Sequence, residues 1–307
     1  MAPLPPLRVT SGDPNADRRF AYAQGAVDDG DHEAAADLAE QTLEIAPGFA
    51  PAHALLGRAR VSLGQRDAAV RALQAALALD PADPLGVRLD LARLGALPPG
   101  EALGAGYIRA LFDQYAPRFD AHLVGALGYR GPSVIMEALD AVAPGRLFAR
   151  ALDLGCGTGL MGEALRPRAG HLAGCDLSPA MVEAARAKAV YDRLVTAELV
   201  AFLEEEPRAE ADLVVAADVL VYVGDLAPVL AAAAGALAPG GLVAFTVQDL
   251  DGAGYALGED ARFAHGALHV AEAAREAGLD VFVSHGASTR QDRGNDVPGR
   301  VFVLARP

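Results

Sequence analysis

Three glycines and two acids mark where this chain could do chemistry. The segment Leu152-Asp153-Leu154-Gly155-Cys156-Gly157-Thr158-Gly159-Leu160 follows an apolar, strand-like run and opens a helical one. Roughly twenty residues further on, Leu172-Ala173-Gly174-Cys175-Asp176-Leu177-Ser178 reads as a second strand ending in an acid. Glycine at 155, 157 and 159 lets the backbone turn sharply and approach a ligand with no Cβ in the way. A carboxylate at the end of the second strand can accept hydrogen bonds from both hydroxyls of a ribose. The pairing predicts an adenosine-containing cofactor at the carboxyl edge of a doubly wound α/β sheet.

Short apolar runs bounded by turn residues predict the strands that carry these groups: 151–154, 172–175, 194–197, 213–217, 242–247, 280–284 and 300–304. Helical patterns alternate with them at 160–165, 179–189, 199–205, 226–237 and 268–277. Ser178 followed by Pro179 is a cap followed by a favoured first helical position. This alternation argues for a parallel sheet with helices on both faces. The last two strands have no helix between them, and their connection, 286–299, is polar and rich in turn formers. They should pair antiparallel, which places the final strand antiparallel within the sheet. The fourth strand runs into Asp218-Val219-Leu220-Val221-Tyr222, again at the edge where such sheets bind ligands. Pro239-Gly240-Gly241 precedes the fifth strand as a turn.

The N-terminal third has a different texture. Pro47 and Pro81 stand 34 residues apart, and the same offset relates Gly30 to Gly64, Ala35 to Ala69 and Ala23 to Gly57. Small residues let paired helices approach closely, and the prolines close the second helix of each pair. The pattern resembles the tetratricopeptide repeat, whose period is 34 residues. A further helix over 85–97 could cap the two units. The expected division is a disordered N-terminus at 1–16, a repeat domain at 17–98, a helical linker or lid at 99–145 and the α/β domain at 146–307. The linker opens at Leu97-Pro98-Pro99-Gly100, passes through an aromatic-rich segment, Tyr107 and 111–120, and continues as helices at 122–129 and 132–142. The repeats either pack and self-associate, or dock a protein partner.

Composition excludes several classes. A net charge of −14 with no basic stripe disfavours nucleic acid. No apolar run is long enough to span a bilayer, and the N-terminus lacks the basic and apolar regions of a secretory signal, so no membrane partner is expected. Two cysteines, Cys156 and Cys175, do not make a disulfide framework, and a cytoplasmic location is the simplest expectation. No metal is expected.

Taken together, the chain resembles bacterial class I methyltransferases that carry N-terminal tetratricopeptide repeats. The resemblance runs from about Asp17 to the C-terminus and includes Phe112-Asp113-Gln114-Tyr115-Ala116-Pro117-Arg118-Phe119-Asp120, Arg262-Phe263-Ala264-His265 and Val297-Pro298-Gly299. Gly157-x-Gly159-x-x-Gly162 alone also fits a dinucleotide fingerprint. Asp153, the spacing to Asp176, the Pro-Gly-Gly turn and the terminal antiparallel pair favour S-adenosylmethionine. The resemblance implies a Rossmann-like sheet with a final antiparallel strand, S-adenosylmethionine as cofactor and S-adenosylhomocysteine as product. It puts Asp153, Gly155, Cys156 and Gly157 at the methionine end, with Asp153 bracing the loop or holding the ammonium, and Asp176 on the ribose. Leu177, Met181, Glu198 and Leu199 fall at the adenine. Tyr115 and Arg130 would line the pocket, with Arg130 free to pair with the methionine carboxylate. Asp218 and Tyr222 stand between cofactor and acceptor, and His265 is the favoured general base. A small-molecule acceptor, methylated at oxygen, nitrogen or sulfur, is the leading expectation. The alternatives are a partner-binding scaffold with a cofactor-sensing or inactive domain, and a nicotinamide oxidoreductase.

Overall fold

The structure is a computed structural model and describes residues 10–126, 128–292 and 294–307. The chain divides between Ala110 and Leu111 into two compact units. The first is a run of helices, α1 (Pro14–Asp28), α2 (His32–Ile45), α3 (Ala50–Ser62), α4 (Arg66–Leu79) and α5 (Val87–Arg93), each packed on the next. The small residues at matched repeat positions explain the packing. Ala23, Ala35 and Ala69 are fully buried, and a Cβ added to Gly57 would stand 2.6 Å from Leu73 Cγ. Only a side chain no larger than hydrogen lets α3 and α4 approach that closely. Helices α2 and α4 stop just ahead of Pro47 and Pro81.

The start of this unit differs from the expected disordered tail. Helix α1 begins at Pro14, and the Asp13 carboxylate accepts hydrogen bonds from the Asn15 and Ala16 N–H groups at 2.7 and 3.2 Å. Ser11 donates its hydroxyl and backbone N–H to Asp17 at 2.6 and 2.7 Å. Asp13-Pro14 is a cap and first-position pair of the kind seen at Ser178-Pro179. Residues 1–9 of the expected tail lie outside the described residues.

In the second unit, the end of α6 (Ala105–Tyr115) leads through short turns to α7 (Gly131–Val142). The helix expected over 122–129 is a π-helical turn, Ala121–Ala126; Leu127 of that stretch lies outside the described residues. The α/β domain then runs β1 (Phe148–Leu154), α8 (Leu160–Leu165), β2 (Ala169–Asp176), α9 (Pro179–Ala187), β3 (Arg193–Thr196), α10 (Leu199–Glu205), β4 (Ala211–Ala216), α11 (Ala227–Ala236) and β5 (Leu237–Leu250). It continues through β6 (Tyr255–Leu257), β7 (Phe263–Gly266), α12 (Ala267–Glu276), β8 (Asp280–Gly286), the small hairpin β9 (Gln291–Asp292) and β10 (Asn295–Asp296), and β11 (Gly299–Ala305).

The principal sheet has the order β3-β2-β1-β4-β5-β11-β8. Strands β3, β2, β1, β4 and β5 are parallel, while β11 lies antiparallel to both β5 and β8. One face buries Phe202, Leu230, Val270 and Phe302 under α10, α11 and α12; the other buries Ile135, Leu139 and Leu165 of α7 and α8. Phe245 and Phe302 stack across the β5–β11 pair with centroids 5.3 Å apart.

Two features escaped the hydrophobic pattern. Strands β6 and β7 form a flap on the extended end of β5, with β7 parallel to β5 and β6 antiparallel to β7. They are short and separated by glycines and acids, so no run of apolar residues announces them. The Pro239-Gly240-Gly241 turn lies inside β5, where pairing with β4 jumps from Ala211↔Leu237 to Leu213↔Leu242. The turn is a bulge of the strand, with Gly240 at φ 73°.

Candidate active site

The carboxyl ends of β1, β2 and β4 bring together residues far apart in sequence. The loop after β1 holds Gly155, Gly157 and Gly159 at φ 60°, 53° and 93°, a region that side chains disfavour. At Gly155 space also forbids a side chain, since a Cβ would stand 2.6 Å from Val219 Cγ2. The loop is pinned to β2. Cys156 N–H donates to Cys175 O at 2.8 Å. Gly157 N–H donates to Asp176 Oδ2 at 2.9 Å, and Ser178 N–H donates to Asp176 Oδ1 at 2.8 Å. Asp176 therefore clamps the glycine loop to the start of α9. Burial raises its pKa, against hydrogen bonds from Ser178 and Gly157 that lower it. Burial also pushes the Cys156 and Cys175 thiols up, so both are neutral.

Asp153 is 1 % exposed. The Tyr191 hydroxyl donates to its Oδ2 at 2.6 Å, while its Oδ1 is buried with no hydrogen-bond partner. Burial pushes its pKa up to about 7, opposed by the Tyr191 hydrogen bond and assisted by the charge of Asp176. An unpartnered carboxylate oxygen is costly to bury, and a cationic ligand group would satisfy it.

Tyr191 was not among the expected site residues. Its ring lies where Cβ atoms would otherwise stand on Gly159, Gly162 and Gly174, at 3.2, 2.3 and 2.9 Å. Gly162 inside α8 and Gly174 inside β2 were the signal: a glycine within a regular element marks a large neighbour.

The residues expected at the adenine separate. Leu177 is partly buried and Glu198 is exposed, its Oε2 accepting from Val200 N–H at 2.9 Å as the cap of α10. Met181 and Leu199 are instead 1 % and 7 % exposed and packed inward.

Residues 111–130 reach the same edge. Asp113 accepts from Ser178 Oγ at 2.5 Å and from Ala180 N–H at 3.3 Å. Asp120 accepts from the Thr158 hydroxyl and pairs with Lys188 Nζ at 3.1 Å. Tyr115 is hydrogen-bonded to His122 Nδ1 and packs edge-on against Phe119, with centroids 5.1 Å apart. Burial raises the Tyr115 pKa, as does neighbouring Tyr222. Arg130 is exposed at the cap of α7, and its backbone N–H donates to Thr289 O at 2.7 Å.

Beyond β4, Asp218 adopts φ 60°. Its N–H donates to Thr246 Oγ1 at 2.9 Å, and its Oδ1 accepts from Thr289 Oγ1 at 3.1 Å. Tyr222 accepts from Arg262 Nε at 3.2 Å, carries the Arg262 guanidinium over its ring at 5.6 Å and meets Phe112 edge-on at 5.4 Å. The Tyr129 hydroxyl donates to Ala217 O, next to Asp218, at 3.4 Å. Burial raises its pKa well above the ordinary value, reinforced by Asp218 and Asp153.

His265, the favoured base, is tied to backbone through Nε2, and its Nδ1 is buried without a hydrogen-bond partner. It is fully buried on β7, with Nε2 3.0 and 3.1 Å from Val223 O and Gly224 O. A nitrogen facing two carbonyls must be the N–H donor, and burial lowers the ring's pKa. This neutral histidine fastens the flap to the segment after β4. The helix expected to follow it is capped by Gly266 with no side-chain bond.

Comparison with known proteins agrees with this geometry. Residues 152–243 match the methyltransferase domain family and residues 26–94 the tetratricopeptide repeat family. The chain thus carries a methyltransferase-family domain at 152–243, preceded in sequence by a tetratricopeptide-repeat region at 26–94. A human relative, methyltransferase-like protein 27, is 41% identical over 85 residues, 27% of this chain and 34% of that protein. The ubiquinone biosynthesis O-methyltransferase of Xylella fastidiosa strain 9a5c is 33% identical over 134 residues, 40% of this chain and 54% of that protein. The chain thus spans from a third to about half the length of these curated relatives. A Leishmania major S-adenosylmethionine-dependent methyltransferase shares the fold at TM-score 0.55 and 19% identity, covering 65% of this chain and 82% of that one. The [4+2]-cyclase SpnF shares it at TM-score 0.54 and 15% identity, covering 66% and 97%. With a cyclase among its bearers, the fold alone does not fix the chemistry. The antiparallel β11 removes the topology that the oxidoreductase reading required.

Proposed function

We propose that this protein is an S-adenosylmethionine-dependent methyltransferase acting in-line on an oxygen, nitrogen or sulfur of a small-molecule acceptor. The observation that carries the proposal is the buried, unpartnered Oδ1 of Asp153 beside a glycine loop held at positive φ. A carboxylate oxygen with no donor suits the ammonium of an amino acid, and the adjacent Asp176 suits a ribose. Nicotinamide dinucleotides offer no primary ammonium to that oxygen. When bound, the cofactor supplies a methyl group already activated on a sulfonium.

The protein then has to orient and to exclude water. Asp153 Oδ1 would hold the ammonium, the backbone of 155–157 would line the methionine, and Leu177 and Glu198 would border the adenine. Residues 111–130, anchored by Asp113 and Asp120, would cover the site. Alignment of this kind supplies several kcal/mol of the barrier. Where the acceptor is a hydroxyl, its proton needs a base. With the His265 ring buried and its Nε2 committed to two backbone carbonyls, we assign that role to the Asp218 carboxylate just after β4. We assign the repeat region to a protein partner or to self-association, and the protein to the cytoplasm; among the described residues, no helix is long and apolar enough to cross a membrane.

The test is calorimetric titration of the full chain with S-adenosylmethionine, S-adenosylhomocysteine and NADH. Micromolar binding of the two adenosyl compounds and none of NADH is expected. Failure of both to bind would overturn the proposal in favour of the scaffold reading, and tight NADH binding would restore the oxidoreductase.

A further inference from the structure

Two arginines lie beside Asp218 and Tyr222, and one of them, Arg290, lacks a hydrogen-bond partner at Nε. Arg290, in the connection between β8 and β11, has a side chain only 5% exposed. Its Nε is buried with no hydrogen-bond partner. The nearby carboxylate oxygens, Asp218 Oδ2 and Asp260 Oδ2, both stand 3.7 Å from its guanidinium nitrogens. That distance gives ionic attraction but no hydrogen bond. Arg262, just before β7, is also 3.7 Å from Asp260 Oδ2 and spends its Nε on the Tyr222 hydroxyl.

A lock of ion pairs holding the β8–β11 connection in place is the simplest structural account, and the hydrogen bonds speak against it. Asp218 accepts its side-chain hydrogen bond from Thr289, a neutral hydroxyl adjacent in sequence to Arg290. Asp260 accepts from the neutral amide of Gln248 at 3.0 Å. Both acids give their good geometry to uncharged donors and leave the buried Arg290 guanidinium and the half-buried Arg262 guanidinium at 3.7 Å. A guanidinium is a planar fork that matches a carboxylate or phosphate through two parallel hydrogen bonds. Burying one without such bonds is expensive. Burial, together with the neighbouring charge of Arg262, lowers the Arg290 pKa, the direction expected of a cation short of counter-charge.

We propose that Arg262 and Arg290 form the anchor for an anionic acceptor, a small molecule bearing a carboxylate or phosphate group. The proposal rests on the methyltransferase reading, because it assigns these residues to that enzyme's acceptor. Their position fits the role: Asp218 and Tyr222, which they flank, follow β4 at the ligand-binding edge of the sheet. In a chain with a net charge of −14, an anionic acceptor needs a local cationic anchor.

The experiment is calorimetric titration of the full chain, saturated with S-adenosylhomocysteine, with benzoate, phenyl phosphate and uncharged benzamide. The three share a ring and differ in the head group. We expect the protein to bind at least one anion roughly tenfold or more tightly than benzamide, the size of effect that hydrogen bonds to a charged group supply. The tighter of the two anions identifies the head group. Arg290→Gln and Arg262→Gln should each lose most of that preference while binding S-adenosylhomocysteine within about threefold of the parent. Should Arg290→Gln fail to fold, Arg262→Gln carries the test. Equal binding of all three probes, binding of neither anion, or anion binding unchanged in the variants would overturn the anchor. Anion binding without S-adenosylhomocysteine binding would overturn the methyltransferase reading and leave the anchor standing.

Discussion

The two ends of the cleft are built by different means. The cofactor end is made of backbone and strand-end acids: three glycines at positive φ, Asp176 clamping two N–H groups and Asp153 held by Tyr191. Its parts lie between residues 153 and 191. The proposed acceptor end is made of side chains from three separate connections: Asp218 and Tyr222 after β4, Asp260 and Arg262 before β7, and Thr289 and Arg290 before β11. At the first end Asp153 Oδ1 is buried without a partner, and at the second Arg290 Nε is. On the proposed reading, a cofactor common to many enzymes would be met by a compact backbone cradle and the acceptor by loops that can change independently.

Substitutions at the cofactor end should have the larger effects. Asp176→Ala removes the acceptor of the Gly157 and Ser178 N–H groups along with the carboxylate we propose for the ribose. We expect on the order of a hundredfold loss of S-adenosylhomocysteine affinity by calorimetry, from two lost charge-assisted bonds; a change within threefold would break the assignment of this end. Gly155→Ala forces a side chain into φ 60° and within 2.6 Å of Val219 Cγ2. It should cost about 2–3 kcal/mol in urea unfolding, and an unchanged midpoint would contradict the close packing of the loop. His265→Ala, on the flap beside the acceptor end, removes one N–H shared by two carbonyls. It should cost about 1–2 kcal/mol of stability and leave the S-adenosylhomocysteine affinity of the folded fraction unchanged. A loss of turnover with the fold's stability intact would return His265 to the chemistry.

The same contrast governs what could be read from sequence. The cofactor end was legible because its constraint is local: a glycine loop between a strand and a helix, and an acid one strand later, occupy fixed offsets in any such sheet. The parallel run of the principal strands and the antiparallel β11 followed from element alternation and a missing helix. What escaped was contact between distant segments. Tyr191 was invisible as a residue, although Gly162 and Gly174 carried its imprint. His265 looked like a base because its type and position suited one; only three dimensions show the two carbonyls occupying its Nε2. Arg290 lies 72 residues beyond Asp218 in a turn-rich connection, and no periodicity links them. The capped start of α1 was legible and overlooked, since Asp13-Pro14 repeats the logic of Ser178-Pro179.

The central claim is that Asp153 Oδ1 awaits a cation. Its pKa is raised from 3.8 to about 7 in the fold. The stability associated with this group is therefore fully present below about pH 4 and lost as pH rises through 7 in the ligand-free protein. An ammonium-bearing ligand prefers the ionised acid, so its apparent affinity scales with the ionised fraction. The direct measurement is the S-adenosylhomocysteine dissociation constant at pH 6 and pH 8, for the parent and for Asp153→Asn. The account predicts roughly tenfold tighter binding at the higher pH in the parent and a flat, weaker profile in Asp153→Asn. Equal affinity at both pH values in the parent, or the same slope in the variant, would contradict it.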